Sequence, residues 1–247
     1  MIAVRELTKS FGELMAVDQL TFDVAPGAIC AFLGPNGAGK STTLKMLTGL
    51  LTPTSGEATV CGLSITADSL AIKRRIGVLP ENLGLFDDLT VEEHLKLTGR
   101  IYGLPRETAR LRIDQLLGVL DLDGGRKTFA RHCSHGMRKK TSLAMALLPN
   151  PEVLFLDEPF EAIDPVTSKT IHDLLVQAAA HGVTVFLTSH ILSVVERIAH
   201  QFIIIRGGRI VLNVSAGELP GSLEQMYFEL AERQETENLE WLGPRPS

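Results

Sequence analysis

Short apolar runs alternate with amphipathic segments along most of the chain. Runs such as 153–156 and 183–187 are almost continuously apolar, which is typical of parallel strands buried on both faces. After Asp164 and Pro165, apolar residues recur at helical spacing and predict a helix with an N-cap. Alternating elements predict an α/β fold, with strands at 2–7, 20–24, 28–33, 57–60, 76–79, 153–156, 183–188, 202–206 and 209–213.

Residues 86–150 have helical periodicity and no clear strand pattern, with helices predicted at about 90–101, 106–120 and 136–148. We therefore expect one domain over 1–220. Its core comprises 1–85 and 151–220, and 86–150 form an inserted helical subdomain. The last part, 221–247, predicts a short helix near 222–232 and a flexible polar tail from 233.

Composition excludes several classes of protein. The 247 residues are 45% hydrophobic, which suffices for a large core. The net charge of −5 gives no electrostatic basis for binding nucleic acid. The three cysteines lack C-x-x-C spacing, so we expect reduced thiols rather than disulfides or zinc. The basic run 138–140 is interpreted as a solvated helix face. Neither a signal segment nor an apolar stretch of 18 residues is present, so we expect no span that crosses a membrane unaided.

One glycine-rich segment fits G-x-x-x-x-G-K-[ST], the loop that wraps nucleotide phosphates. Its glycines let backbone N–H groups point into one hollow, Lys40 can reach the outer phosphates, and the Ser41 hydroxyl can hold Mg²⁺. An apolar run precedes the loop and an amphipathic segment, 40–50, follows it. The predicted phosphate-binding residues are Gly34, Pro35, Asn36, Gly37, Ala38, Gly39, Lys40, Ser41 and Thr42.

A second motif adds the groups that hydrolysis needs. Asp157 and Glu158 follow the apolar run 153–156, so both carboxylates lie at the carboxyl end of a buried strand, where open α/β sheets bind ligands. Asp157 can join Ser41 at Mg²⁺, and Glu158 can orient or deprotonate the attacking water. His190 ends another buried run and can contact the γ-phosphate, although taken alone it is more often a helix cap or a surface histidine.

The order of these motifs resembles the ATP-binding cassette family over about residues 1–220. The resemblance implies a P-loop NTPase (RecA-like) α/β core with an antiparallel β subdomain and an inserted α-helical subdomain. It also implies that ATP and Mg²⁺ lie between two such subunits, alike or unlike, that work with a transmembrane permease.

The resemblance assigns further residues. Phe11 occupies the position of an aromatic that stacks on adenine, and Val17 is expected beside it; a core or turn position remains the alternative for Phe11. Glu81 stands where the family usually has a glutamine that couples Mg²⁺ and water to the permease. As a carboxylate, Glu81 can ligate Mg²⁺ or add unfavourable negative charge near the phosphate.

The family signature corresponds to Cys133-Ser-His-Gly-Met137, in which Ser134 and Gly136 are retained and His135 and Met137 depart from the common form. The Ser-x-Gly-Met form resembles a branch that serves exporters and resistance pumps. Asp164 resembles the acid that contacts the opposite subunit, and a plain helix N-cap is the alternative.

The leading hypothesis is an ATP-hydrolysing subunit, peripheral on the cytoplasmic face of a membrane, that powers a transporter, with segment 81–100 docking on the permease. One alternative is a soluble cassette ATPase acting on ribosomes or DNA. Such proteins usually have two cassettes or a long coiled-coil insertion, and the sequence has neither. The other alternative is a non-hydrolysing, nucleotide-gated module, which the imperfect signature and Glu81 favour.

Overall fold

The computed structural model describes residues 1–219 and 221–230. Its strands are β1 (Ile2–Phe11), β2 (Leu14–Val24), β3 (Ile29–Leu33), β4 (Ser55–Val60), β5 (Leu63–Ser64), β6 (Ile76–Leu79), β7 (Val153–Leu156), β8 (Thr184–Ser189), β9 (Gln201–Arg206) and β10 (Arg209–Ser215). Its α-helices are α1 (Lys40–Leu47), α2 (Ser69–Lys73), α3 (Val91–Ile101), α4 (Arg106–Val119), α5 (His135–Leu147), α6 (Pro165–Ala180), α7 (Leu192–Val195) and α8 (Leu223–Leu230).

The larger sheet has six strands in the order β10-β9-β3-β8-β7-β6. All neighbouring pairs are parallel except the β9–β10 hairpin. Every residue of β3, β7 and β8 is buried, as their continuous apolar runs predict. Because these strands are parallel, their carboxyl ends meet at one edge of the sheet, and the predicted α/β class is confirmed.

The smaller sheet is antiparallel, in the order β2-β1-β4-β5, and packs its apolar face on the larger one. Phe22 of β2 lies against Phe32 of β3 and Phe186 of β8, with ring centroids 5.8 and 6.0 Å away. Aromatic rings at this spacing fill the space between the sheets and add stacking to their hydrophobic burial. The predicted antiparallel β layer is therefore present.

Three helices, α3 to α5, lie between β6 and β7 in the chain, where the sequence predicts a helical insertion. Helix α3 begins at a capping box, because Thr90 accepts from the Glu93 N–H and the Glu93 carboxylate accepts from the Thr90 N–H. Helix α5 packs beside β6. The boundaries of the predicted subdomain division stay a prediction. Within the described ranges no helix has the length and apolarity needed to cross a bilayer.

Several details differ from the predicted pattern. Helix α1 ends at Leu47 rather than near residue 50. Apolar residues recur at helical spacing after His190, but they form only the single turn α7, because the chain must return to place β9 beside β3. The short β5 and α2 have too few residues for a periodic signal. A tight turn at Gly207–Gly208, where both φ angles are positive, joins β9 to β10. The polar tail from 233 lies outside the described residues.

Candidate active site

One cavity of about 730 Å³ lies at the carboxyl edge of the larger sheet, where β3, β7 and β8 end. It brings together the phosphate-loop residues, the two acids after β7 and the histidine after β8. Its lining comprises Phe11, Leu14, Ala16, Gly34, Pro35, Asn36, Gly37, Gly39, Lys40, Ser41, Thr42, Glu81, Asp157, Glu158, Glu161, His190 and Tyr227.

The glycine-rich loop is wedged between strands. A Cβ at Gly34 would lie 2.4 Å from the Ile205 carbonyl oxygen, and a Cβ at Gly39 would lie 2.4 Å from the Ala16 carbonyl oxygen. Gly39 also has φ +105°, which L side chains rarely adopt. Only glycine therefore fits these two positions.

Lys40 begins α1 directly after the loop and is mostly buried. Its Nζ donates to the carbonyl oxygens of Gly34 at 2.7 Å and Pro35 at 3.2 Å, so the ammonium lies over the hollow of the loop. A cation held there can bind the outer phosphates of a nucleotide.

The acid pair is held by a threonine that the sequence analysis missed. Thr188, fully buried on β8, donates its hydroxyl to Asp157 Oδ1 at 2.6 Å and accepts from the Glu158 N–H at 3.0 Å. The parallel register Leu156↔Leu187 places the next residues, Asp157 and Thr188, side by side. The sequence did contain a signal for this residue. Thr188 is a hydroxyl residue inside an apolar strand, and it directly follows Leu187, the residue that pairs with the end of β7.

Glu158 and His190 form a contact pair. The carboxylate oxygen Oε2 accepts from the His190 backbone N–H at 3.1 Å and lies 2.9 Å from its ring Nδ1. The backbone of Glu158 has φ +49°, a left-handed conformation that turns its side chain into the cavity. Burial raises the pKa of Glu158, and the nearby His190 and Lys40 oppose this rise. A more basic carboxylate is better suited to accept a proton from water.

The basic run 138–140 is not a solvated face, because Lys139 is only 4% exposed and Lys140 only 9% exposed. Lys139 Nζ donates to the carbonyl oxygens of Glu158 and Glu161, both at 2.8 Å. Burial lowers the pKa of Lys139, against the opposing effect of Glu161 and Glu158. Because Glu158 and Ala162 both have positive φ, the lysine secures a strained loop beside the acid pair.

Ser134, Gly136 and Asp164 form a second cluster. Ser134 caps α5 by accepting from the Met137 N–H, and Asp164 caps α6 by accepting from the Thr167 N–H. A Cβ at Gly136 would lie 3.8 Å from Asp164 Oδ2 and 4.0 Å from Ser134 Oγ. None of the three lines the cavity of its own chain. Asp164 is therefore a helix N-cap, as the alternative interpretation predicted. Its contact with another subunit stays a prediction, and the cap is compatible with it.

The predicted base-binding residues are only partly brought together. Phe11 lies at the cavity with its side chain 49% exposed, beside Leu14 and Ala16. Val17 is fully buried and does not line the cavity, which corrects the expectation for this residue. Neighbouring strand residues point to opposite faces, so Ala16 lies at the cavity where Val17 was expected.

Ala38 of the predicted loop also departs from expectation. It is buried and does not line the cavity. Its N–H donates to the Pro35 carbonyl oxygen at 3.2 Å, so this amide is used within the loop.

The donor set at the acid end suits a hard cation. Ser41, Glu81 and Asp157 all line the cavity and offer hydroxyl and carboxylate oxygens, which Mg²⁺ prefers. In the part of the chain that the structure describes, no group of three or more His, Cys, Asp or Glu side chains could hold a metal without other ligands. Phosphate oxygens of a bound nucleotide would therefore have to complete such a site.

Comparisons with known proteins agree with this geometry. A family model described as ABC transporter matches residues 17–161, more than half of the chain. The chain is 37% identical over 219 residues to the Nod factor export ATP-binding protein I of Ralstonia nicotianae, covering 89% of this chain and 68% of that protein. It is 38% identical over 219 residues to the daunorubicin resistance ATP-binding protein DrrA3 of Streptomyces coeruleorubidus, covering 88% and 69% respectively.

Solved structures show the same architecture. An ATP-binding subunit of an ABC transporter matches with a TM-score of 0.86 and 30% identity, over 93% of this chain and 98% of that chain. The dimeric structure of MJ0796, a bacterial ABC transporter cassette, matches with a TM-score of 0.82 and 25% identity, over 87% and 99%. Given its cassette architecture, its phosphate loop with the paired acids and these relatives, the chain belongs to the ABC transporter family.

Proposed function

We propose that the chain hydrolyses ATP between two subunits and thereby powers export of a substrate through a separate membrane permease. The proposal is based on the separation of two sets of nucleotide-binding residues within one chain. The phosphate loop, Glu158 and His190 share one cavity, whereas Ser134 and Gly136 lie outside it. A hydroxyl and a close-approach backbone at a helix start suit an anion, so this cluster fits the nucleotide of a second subunit.

The dimer follows from this arrangement. Two subunits, identical or unlike, would bind two ATP molecules, each between residues 34–42 of one subunit and the Ser134–Gly136 segment of the other. The γ-phosphate is the differential contact that favours the closed pair. When hydrolysis removes that contact, the pair opens, and a permease bound to both subunits can change conformation.

Within the cavity, each side chain has a proposed task. The loop amides and Lys40 hold the phosphates, and Glu158 orients or deprotonates the attacking water. His190, 2.9 Å from the carboxylate, keeps Glu158 in place. Mg²⁺, held by Ser41 and Asp157 with Glu81 nearby, would supply charge neutralisation on the phosphate oxygens.

The end of the cavity away from the acid pair suits the adenine ring of the nucleotide. Phe11, Leu14 and Ala16 offer an exposed ring and apolar surface. An adenine needs only a ring face on which to stack, and such contacts are tolerant of exact position.

The direction of transport and the location are inferred from the relatives, which are named for export and for drug resistance. We place the chain on the cytoplasmic face of a membrane, bound to a permease through segment 81–100. Phe86 in that segment is 60% exposed and offers an apolar contact. No observation favours ribosome or nucleic-acid binding. The intact set of Lys40, Asp157, Glu158 and His190 argues against a non-hydrolysing module.

The decisive test is Glu158→Gln, which keeps the shape of the side chain and removes its basicity. We expect ATP binding to be retained, turnover to fall at least about a hundredfold, and a dimer to persist on Mg-ATP in gel filtration with light scattering. Glu57→Gln, an exposed change on β4, is the matched control and keeps normal turnover. Full activity of Glu158→Gln, or unchanged ATP affinity of Lys40→Ala, would overturn the proposal.

A further inference from the structure

Helix α8, the last helix in the described part of the chain, brings one side chain into the nucleotide cavity. Tyr227 lines the same cavity as Lys40, Glu158 and His190. This residue belongs to neither the phosphate loop nor the acid motif, and the proposed function gives it no task.

The position of Tyr227 is fixed by contacts at both ends of α8. At the first turn, Leu223 is fully buried and its N–H donates to Glu196 Oε1 at 2.8 Å. At the last turn, Arg206 Nη1 donates to the Leu230 carbonyl oxygen at 2.7 Å. Between these ties the ring of Tyr227 packs against the main hydrophobic core. The helix therefore presents the tyrosine to the cavity as a docked element of the domain.

The hydroxyl of Tyr227 differs chemically from the carboxylates that line the same cavity. Burial raises the pKa of Tyr227, and the charge of nearby Glu158 raises it further, so the phenol stays protonated at neutral pH. When ionised, carboxylates accept hydrogen bonds and cannot donate them to a phosphate oxygen. A phenol donates a hydrogen bond without adding negative charge, in contrast to the four acidic side chains that line the cavity, Glu81, Asp157, Glu158 and Glu161.

We propose that Tyr227 is a further catalytic residue of ATP hydrolysis. Its hydroxyl donates a hydrogen bond to an oxygen of the terminal phosphate, and its ring covers the Glu158 side of the cavity against bulk water. The bond strengthens as negative charge develops on the phosphate oxygens in the transition state, so it accelerates turnover more than it tightens binding. This proposal rests on the proposed role of the cavity in hydrolysis, and it makes α8 a part of the site.

The test compares two tyrosines. The sequence contains only Tyr102 and Tyr227, and Tyr102 caps α3 away from the cavity, so Tyr102→Phe is the matched control. We expect Tyr227→Phe to lower kcat for ATP about five- to tenfold with KM within about twofold, because one hydrogen bond is lost mainly in the transition state. Tyr227→Ala should lower kcat further, and Tyr102→Phe should match the wild type.

Two further measurements make the outcome decisive. A melting midpoint of Tyr227→Phe close to that of the wild type shows that α8 stays docked, and the split between kcat and KM then supports the proposal. A wild-type kcat in Tyr227→Phe overturns it, as does a lowered midpoint with equal losses of affinity and kcat. Glu158→Gln is assayed in parallel: if its turnover collapses while Tyr227→Phe is normal, only the tyrosine proposal fails. If Glu158→Gln turns over normally, the proposed function fails instead.

Discussion

Thr188→Val isolates the hydroxyl that holds the acid pair. Valine has nearly the shape of threonine, so the fully buried site keeps its packing while two hydrogen bonds disappear. The bond to the Asp157 carboxylate contributes about 1.5–3 kcal/mol because its acceptor is charged. Loss of the acceptor for the Glu158 N–H adds about 1–2 kcal/mol, since water cannot readily replace it. We expect the free energy of unfolding to fall by about 2.5–5 kcal/mol.

Urea unfolding of the purified chain measures this change, and ATPase activity should fall with it because Asp157 loses its orientation. Thr188→Ser restores the hydroxyl and removes one methyl group, so its cost should stay near 1 kcal/mol. Thr170→Val is the control, since its hydroxyl donates to the Val166 carbonyl on the exposed side of α6. If Thr188→Val lies within about 1 kcal/mol of the wild type, the hydroxyl does not hold the acids as described.

Two other changes extend the test to the helical part of the chain. Lys139→Met removes two hydrogen bonds to carbonyl oxygens, so we expect kcat to fall about tenfold with little change in ATP affinity. Lys140 is also buried on the same helix, and Lys140→Met should keep its turnover. The pKa of Glu92 is lowered by its hydrogen bonds to Lys96 and then Arg126, despite the opposing effect of burial. The stabilisation of the folded state by ionised Glu92 is therefore fully present above the pKa of the unfolded chain, about 4.3. It is lost as the pH falls through the lower pKa of the folded state. Urea midpoints between pH 6 and 3 should accordingly fall less steeply in Glu92→Gln, and an equal slope would contradict the assignment.

The sequence predicted the parallel strands well because their residues are buried on both faces and therefore read as continuous apolar runs. The phosphate loop and the acids after β7 were equally accessible, since each depends on residues adjacent in the chain. In an open parallel α/β sheet, a strand that ends in two acids places both at the edge where ligands bind.

The remaining site residues depend on contacts between distant segments. Lys139 carries a charge, and charged residues on a helix are usually solvated, but two loop carbonyls provide partners for its ammonium in the interior. Thr188 could be assigned only from the register of β7 against β8. Val17 was expected at the cavity where Ala16 lies, because the sequence at the start of β2 does not reveal which of its faces meets the cavity.

The wedging of the phosphate loop has a consequence for how the nucleotide arrives. Gly34 and Gly39 press against the backbones of Ile205 and Ala16, and Gly208 donates its N–H to the Ala38 carbonyl oxygen at 3.2 Å. The phosphate loop therefore acquires its shape when the two sheets assemble, and an incoming triphosphate need not order it. Binding of the triphosphate then costs little conformational entropy of the protein. The same glycine positions therefore affect both the affinity for the nucleotide and the folding of the chain.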